Sequence, residues 1–204
     1  MYRTCTQTLI SRKVLVKNNS VEFSFLPGTV KTGAQSSGFF VGKGEKVRRI
    51  VGIDPGLAST GYGIIDVTGN RYRLVSYGVI STDAATPHGE RLLAIYSRLV
   101  AIIGEFEPQE ASMETLYFAR NASSAMAVAE ARGVITLCFA QHCIPLSEYT
   151  PNIIKKSVSG TASANKEVVQ DYVRLLLGLE VVPRPDHAAD ALAAAITHIH
   201  ASVL

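Results

Sequence analysis

The sequence predicts one α/β domain, a mixed sheet covered by helices. Three observations predict it. The chain has 204 residues, 47% hydrophobic and 18% charged, which is enough apolar material to bury a core and too little charge for a disordered chain. Three strand-like segments follow one another near residue 50, two of them joined by a hairpin signal. Beyond them short strands alternate with helical runs and no repeat recurs, the order of helices packed on a sheet. At roughly 100–200 residues per domain, one domain is the default.

The elements follow in order. Arg48–Ile53 reads as a buried strand, ended by the tight turn of Asp54-Pro55-Gly56. Ser59–Val67 and Arg71–Ser81 are strand-like and flank Thr68-Gly69-Asn70, an Asn/Gly hairpin signal. His88–Glu107 spaces Leu92, Leu93, Ile95, Tyr96, Leu99, Ile102, Ile103 and Phe106 as a helix does, and Pro108 closes it. Ala111–Leu116 is a short strand. Asn121–Ala140 is a second long helix, with Asn121 or Ser123 as its cap. Pro145–Tyr149 is a short strand, Pro151–Ser159 and Asn165–Leu177 are helical, and Asp186–Ala201 is a final Ala-rich helix after Pro183 and Pro185. The first three strands are expected to be antiparallel.

Residues 1–46 are foreign to this pattern. They are rich in Thr, Ser, Gly and Lys and keep no sustained period, so they are expected to form a disordered N-terminal extension ahead of a domain at 47–204. No apolar run of signal-peptide length follows Met1. The segment is basic and hydroxyl-rich like a transit peptide, but Phe23, Phe25, Phe39 and Phe40 fit that poorly. Val47 can be encoded by GTG, an alternative bacterial start codon, and Lys43-Gly44-Glu45-Lys46 can be encoded with a ribosome-binding sequence. The expectation is that translation starts at Val47.

Charge divides the same way. Residues 1–46 carry seven Lys/Arg against Glu22 and Glu45, a net +5, whereas residues 47–204 carry a net −2. Bulk charge therefore does not mark the main body as a nucleic-acid binder. Of the three cysteines, Cys5, Cys138 and Cys143, none forms a CxxC pair, and Cys138 sits in an apolar run as a small core residue. This favours a reducing compartment. The apolar stretch around Thr136 is far short of a membrane span.

Polar residues gather at element ends. Asp54 ends the first strand and Glu114 lies at the end of the fourth. His187 and Asp190 open the last helix at i, i+3 spacing, on one face. Singly, each has a structural reading. Asp54 suits a turn before Pro-Gly, Asp186 suits an N-cap, and Asp190 in a first turn suits the helix dipole. Together, carboxylates at two core strand ends facing a helix terminus converge as divalent-metal catalysis requires. Mg²⁺ takes hard oxygen ligands, and two ions about 4 Å apart can clamp an in-line displacement at phosphorus. The small Ala188 and Ala189 leave room for the helix end to approach.

Four segments carry a family resemblance: Arg49 to Gly63 around Gly52-Ile53-Asp54-Pro55-Gly56, Met113-Glu114-Thr115-Leu116-Tyr117-Phe118-Ala119-Arg120-Asn121, Glu130-Ala131-Arg132-Gly133, and Asp186 to Ala193. In this order and spacing they resemble the RuvC Holliday junction resolvases over about residues 48–200. The resemblance implies a ribonuclease H-like fold, a five-stranded mixed sheet flanked by helices. It implies a homodimer with two active sites, in the bacterial cytoplasm. That homodimer nicks two strands of like polarity in a four-way DNA junction and leaves 5′-phosphate and 3′-hydroxyl ends. It implies two Mg²⁺ per site, with Mn²⁺ able to substitute, and RuvA and RuvB as partners, with no membrane. Asp54 matches the first-strand metal ligand, Glu114 the second acidic ligand and Asp190 the last carboxylate. His187 stands where many members carry Asp, and an imidazole suits Mn²⁺ better than Mg²⁺.

The resemblance also implies how DNA is held. Lys155, Lys156 and Lys166 bracket Ser157–Asn165 and form the densest basic cluster. Lys155 and Lys166 match residues that contact the DNA backbone, and Arg120 serves the same backbone. Tyr117, with Phe118 as the alternative, matches an aromatic that stacks on an unpaired base at the junction centre. The small residues of Asn121–Ala140 fit either a dimer interface or ordinary packing on the sheet.

Two other classes compete. An actin-like or sugar-kinase-type ATPase uses a related sheet and an Asp-x-Gly turn, but needs two such half-domains. A non-catalytic nucleic-acid-binding relative has no need of Asp54, Glu114 and Asp190. ATP turnover would mark the first, and junction binding without cleavage the second.

Overall fold

The computed structural model describes residues 46–115 and 122–202, the side chains of 122–124 excepted. The predicted extension therefore lies, but for Lys46, outside the described residues. Strands β1 (Arg48–Asp54), β2 (Ser59–Thr68) and β3 (Arg71–Ser81) are followed by helix α1 (His88–Phe106), β4 (Glu110–Glu114), α2 (Ala122–Gln141), β5 (Leu146–Tyr149), α3 (Pro151–Ser159), α4 (Lys166–Leu176) and α5 (Asp186–Ala201). The order is the one the sequence predicts.

The five strands form one mixed sheet in the order β3-β2-β1-β4-β5. β1, β2 and β3 are antiparallel neighbours, and β4 and β5 run parallel to β1. The hairpin between β2 and β3 turns at Gly69, whose φ of 55° suits glycine. Side chains alternate across the sheet. Val51, Ile53, Ala111 and Met113 join the core under α1 and α2, with Ile95, Leu99, Ile135 and Phe139. On the opposite face, Ile50 and Ile65 meet Leu192, Ile196 and Ile199 of α5, and α3 and α4 close that layer with Ile154, Val158, Val169 and Val173.

The helix termini follow from local chemistry. The Thr150 hydroxyl accepts from Ile153 N–H at 3.3 Å, Pro151 opens α3, and Gly160 ends it at a φ of 81°. Asn165 Oδ1 accepts from Val168 N–H at 2.9 Å, so Asn165 caps α4 rather than belonging to it. Of the two caps expected for α2, Ser123 lies inside the helix, and Asn121 lies outside the described residues. Asp186 is not the cap of α5. Pro185 holds that position, and Asp186 is the first helical residue. Its carboxylate pairs with Arg184 and, at 3.4 Å, with Lys166. Those cations draw it away from the helix N–H groups.

α5 lies unusually close to the sheet, and glycine makes this so. A Cβ on Gly52 would stand 2.0 Å from the main-chain oxygen of Ala191, and one on Gly61 would stand 1.9 Å from that of His187. Both obstacles are backbone, so no rotamer change relieves them. The alanines of α5 from Ala188 to Ala195 are buried, Ala188, Ala191 and Ala194 completely. The approach sets the height of the first turn of α5 above the ends of β1 and β2.

Candidate active site

The site is assembled at the carboxyl ends of adjacent parallel strands, where α/β sheets commonly bind ligands. The last registered pair of β1 and β4 is Ile53 with Met113. Asp54 and Glu114 are the next residues on each strand. They share the face of Gly52 and Ser112, towards α5, because side chains alternate. α5 then brings His187, in its first turn, and Asp190, which lies just past that turn and not in it as expected, to the same edge.

Three of the four predicted residues converge tightly. His187 Nδ1 stands 2.7 Å from Asp54 Oδ2. Asp54, His187 and Asp190 each present a ligand atom, and these atoms all lie within 4.8 Å of one another. Two anionic oxygens and one imidazole nitrogen, this close, suit a divalent transition metal or Mg²⁺. Glu114 is not part of this tight group; it lines a neighbouring cleft of about 280 Å³, with Asp190, Lys155 and Lys166.

The electrostatics fit a site made for a cation. Burial pushes the Glu114 carboxyl up to about 7, and the charges of Asp54 and Asp190 push in the same direction. Burial also raises Asp54 above the usual carboxylate range, against the hydrogen bond from His187, which lowers it. Carboxylates packed so that they resist ionising together gain most from a bound cation.

The basic cluster separates in space. Lys155 and Lys166 line the cleft, whereas Lys156, beside Lys155 on α3, is exposed and outside the lining. Lys166 Nζ stands 2.9 Å from Asp190 Oδ2 and 3.4 Å from Asp186 Oδ2. The sequence assigned this lysine to DNA alone, and its contact with Asp190 was missed. Its place at the first position of α4, opposite the first turn of α5, was the available signal. Tyr117, Phe118 and Arg120 lie outside the described residues.

Arg132, quoted within Glu130-Ala131-Arg132-Gly133 but given no role from sequence, donates from Nη1 to the carbonyl of Glu114 and pairs through Nη2 with Glu148 at 2.9 Å. Away from the site, Glu110 binds Arg48 through both oxygens at 2.8 and 2.7 Å and stands 2.8 Å from His198 Nε2. Arg48 holds its carboxyl down to about 2. Asp66, buried in β2, takes Arg49 and Arg73 at 2.6 and 2.5 Å. These are structural ion pairs of the sheet. No helix among the described residues is long and apolar enough to cross a membrane.

Comparison with known proteins identifies the family. The family model described as crossover junction endodeoxyribonuclease RuvC matches residues 50–198. RuvC of Treponema denticola is 56% identical over 151 residues, which cover 74% of this chain and 85% of that protein. RuvC of Chloroflexus aurantiacus is 47% identical over 152 residues, 74% of this chain and 93% of that protein. The structure of Thermus thermophilus RuvC in complex with a Holliday junction substrate superposes with a TM-score of 0.73 at 33% identity, covering 76% of this chain and 94% of that one. The yeast mitochondrial resolvase Ydc2, at 14% identity and a TM-score of 0.54 over 75% of this chain and 79% of that one, shares the fold. With the family model matched over residues 50–198 and a relative 56% identical over 151 residues, this chain belongs to the RuvC family of crossover junction endodeoxyribonucleases.

Proposed function

We propose that the chain resolves four-way DNA junctions by metal-dependent hydrolysis, with Asp54, Glu114, His187 and Asp190 holding the metal. The observation that carries this reading is the meeting of Asp54, His187 and Asp190 within 4.8 Å at the strand ends. Bound there, Mg²⁺ supplies a Lewis acid that activates a water and offsets charge on the phosphate, and a pair of ions supplies both at once. Mn²⁺ substitutes for it.

The chain's own groups do the remaining work. Asp54 accepts the Nδ1 proton of His187 across 2.7 Å, which fixes the ring and leaves Nε2 as the free nitrogen. That nitrogen can ligate, or hold a proton near the scissile phosphate. Glu114 and Asp190 close the cleft from two sides. Lys155 and Lys166 place ammonium groups on the cleft wall, where they attract the phosphodiester and restrain its backbone. Lys156 and Arg120 contact the backbone farther out. Tyr117 or Phe118, three and four residues past Glu114, stacks on a base at the open centre of the junction.

The working form is a homodimer that makes paired nicks with 5′-phosphate and 3′-hydroxyl ends. Support comes from α2, which leaves the large apolar side chains Met126 66% and Leu137 55% exposed. RuvA and RuvB are its partners in a bacterial cytoplasm, and residues 47–204 suffice for activity.

The test is cleavage of an end-labelled synthetic four-way junction in Mg²⁺ and in Mn²⁺, by the full chain and by residues 47–204, with Asp54→Asn alongside. Paired symmetric nicks that vanish in Asp54→Asn are expected. Binding without nicks in either metal overturns the catalytic reading, and activity confined to the full chain overturns the reading of residues 1–46.

A further inference from the structure

We infer that Arg132 is a positioning residue for junction cleavage, one that fixes the main chain at the end of β4 and so aims the Glu114 carboxylate. The inference rests on the reading of Glu114 as a metal-holding carboxylate.

Glu114 is the last residue of its strand, where the ladder runs out. The next N–H, that of Thr115, still donates to the Tyr149 carbonyl at 2.8 Å. The carbonyl of Glu114 instead takes its hydrogen from Arg132 Nη1. The other terminal nitrogen, Nη2, stands 2.9 Å from Glu148 Oε1 on β5. One planar guanidinium on α2 therefore ties together the ends of two parallel strands. The Arg132 side chain is only 13% exposed, against 40% for Glu148. It does not line the cleft, so it acts through Glu114 and not on DNA.

The geometry needs arginine. A lysine ammonium is a point charge and cannot span both acceptors with the fixed fork of a guanidinium. Without the bond to its carbonyl, the Glu114–Thr115 peptide plane is held on its N–H side alone, by the Tyr149 carbonyl, and can tilt about that bond, carrying the Glu114 side chain with it. A displacement of about 1 Å at a reacting group costs on the order of 10²-fold in rate.

The experiment uses the full chain and four variants: Arg132→Lys, Arg132→Gln, Glu148→Gln and Glu114→Gln. It reads single-turnover cleavage of a saturated four-way junction, Mn²⁺ binding by loss of the free-ion resonance signal, junction affinity in chelator, and thermal melting. Arg132→Lys should cleave about 10–100-fold more slowly and bind Mn²⁺ more weakly, the range found when a group supporting a metal ligand is lost. Its junction affinity should stay within about two-fold, because no phosphate contact is removed. Glu148→Gln keeps the Glu114 contact and loses only a part-exposed ion pair, so it should change the melting temperature little and cleavage by less than about three-fold.

Wild-type cleavage and Mn²⁺ binding in Arg132→Lys overturn the inference. So does a loss of rate that tracks melting temperature equally in Arg132→Lys and Glu148→Gln. Should Arg132→Gln fail to fold, Arg132→Lys decides. Glu114→Gln separates the two levels. If it cleaves normally, the reading of Glu114 fails, whereas an inactive Glu114→Gln beside a normal Arg132→Lys removes only the role of Arg132.

Discussion

Gly61 lies directly beneath the first turn of α5, where an added Cβ would stand 1.9 Å from the main-chain oxygen of His187. The obstacle is backbone, so Gly61→Ala must lift the helix end that carries His187 and Asp190. Overpacking of this kind costs about 1–3 kcal/mol of stability. The effect on cleavage should be larger in proportion, on the order of 10²-fold, because the lift separates His187 from Asp54. Thermal melting and single-turnover cleavage of the same preparation check this. A variant that loses stability but cleaves normally when folded would show that the approach of α5 serves packing alone.

A second outcome concerns the metal. His187 offers an imidazole beside the carboxylate of Asp54, and imidazole suits Mn²⁺ better than Mg²⁺. His187→Asp should narrow the rate advantage of Mn²⁺ over Mg²⁺ by about ten-fold or more. Metal titrations of cleavage by both proteins provide the measurement. An unchanged ratio would place His187 outside the ligand set.

Stability should depend on pH in two separate windows. Glu114 sits at about 7 in the folded protein against an ordinary 4.5. Between those values the folded state holds a proton that the unfolded chain has lost, so stability falls as pH rises through them. Glu110 runs the other way. Held at about 2, it contributes stability that is present above pH 4.5 and lost as pH falls towards 2. In chelator the melting temperature should therefore peak between the two windows. Glu114→Gln should flatten the upper limb, and Glu110→Gln the lower. A saturating divalent cation should also flatten the upper limb, because it favours the ionised Glu114.

The fold was legible because its period changes are sharp. β3, α3 and α5 have the predicted limits, since Gly69, Pro151 and Pro185 mark them chemically. Asp54, His187 and Asp190 were legible because each sits at the end of an element. Asp186 was misjudged because its two cation partners, Arg184 and Lys166, become its neighbours only in the fold. Arg132 was illegible for a related reason: its partners are a main-chain oxygen and a glutamate on other strands, and sequence spacing does not report such contacts. Gly52, Gly61 and Gly63 left a readable trace, glycines at strand spacing on the face that α5 covers, but Ala188 and Ala189 alone were credited with the close approach.

The three lysines should part company under mutation. Lys155 and Lys166 line the cleft with Glu114 and Asp190, and Lys166 touches Asp190 at 2.9 Å. Lys156 is exposed and outside it. A lysine that only neutralises a phosphate releases about 0.9 counterion when bound, so Lys156→Ala should reduce the slope of log affinity against log salt by about that amount. It should weaken every junction sequence alike and leave the saturated cleavage rate within about three-fold. Lys166→Ala should instead lower the saturated rate by on the order of ten-fold or more, because it removes a positive charge from beside the reacting phosphate. Junction affinity measured from 50 to 200 mM salt, with single-turnover rates at saturation, separates the two. Equal effects on slope and rate from both lysines would mean that the division between cleft and rim does not operate on DNA.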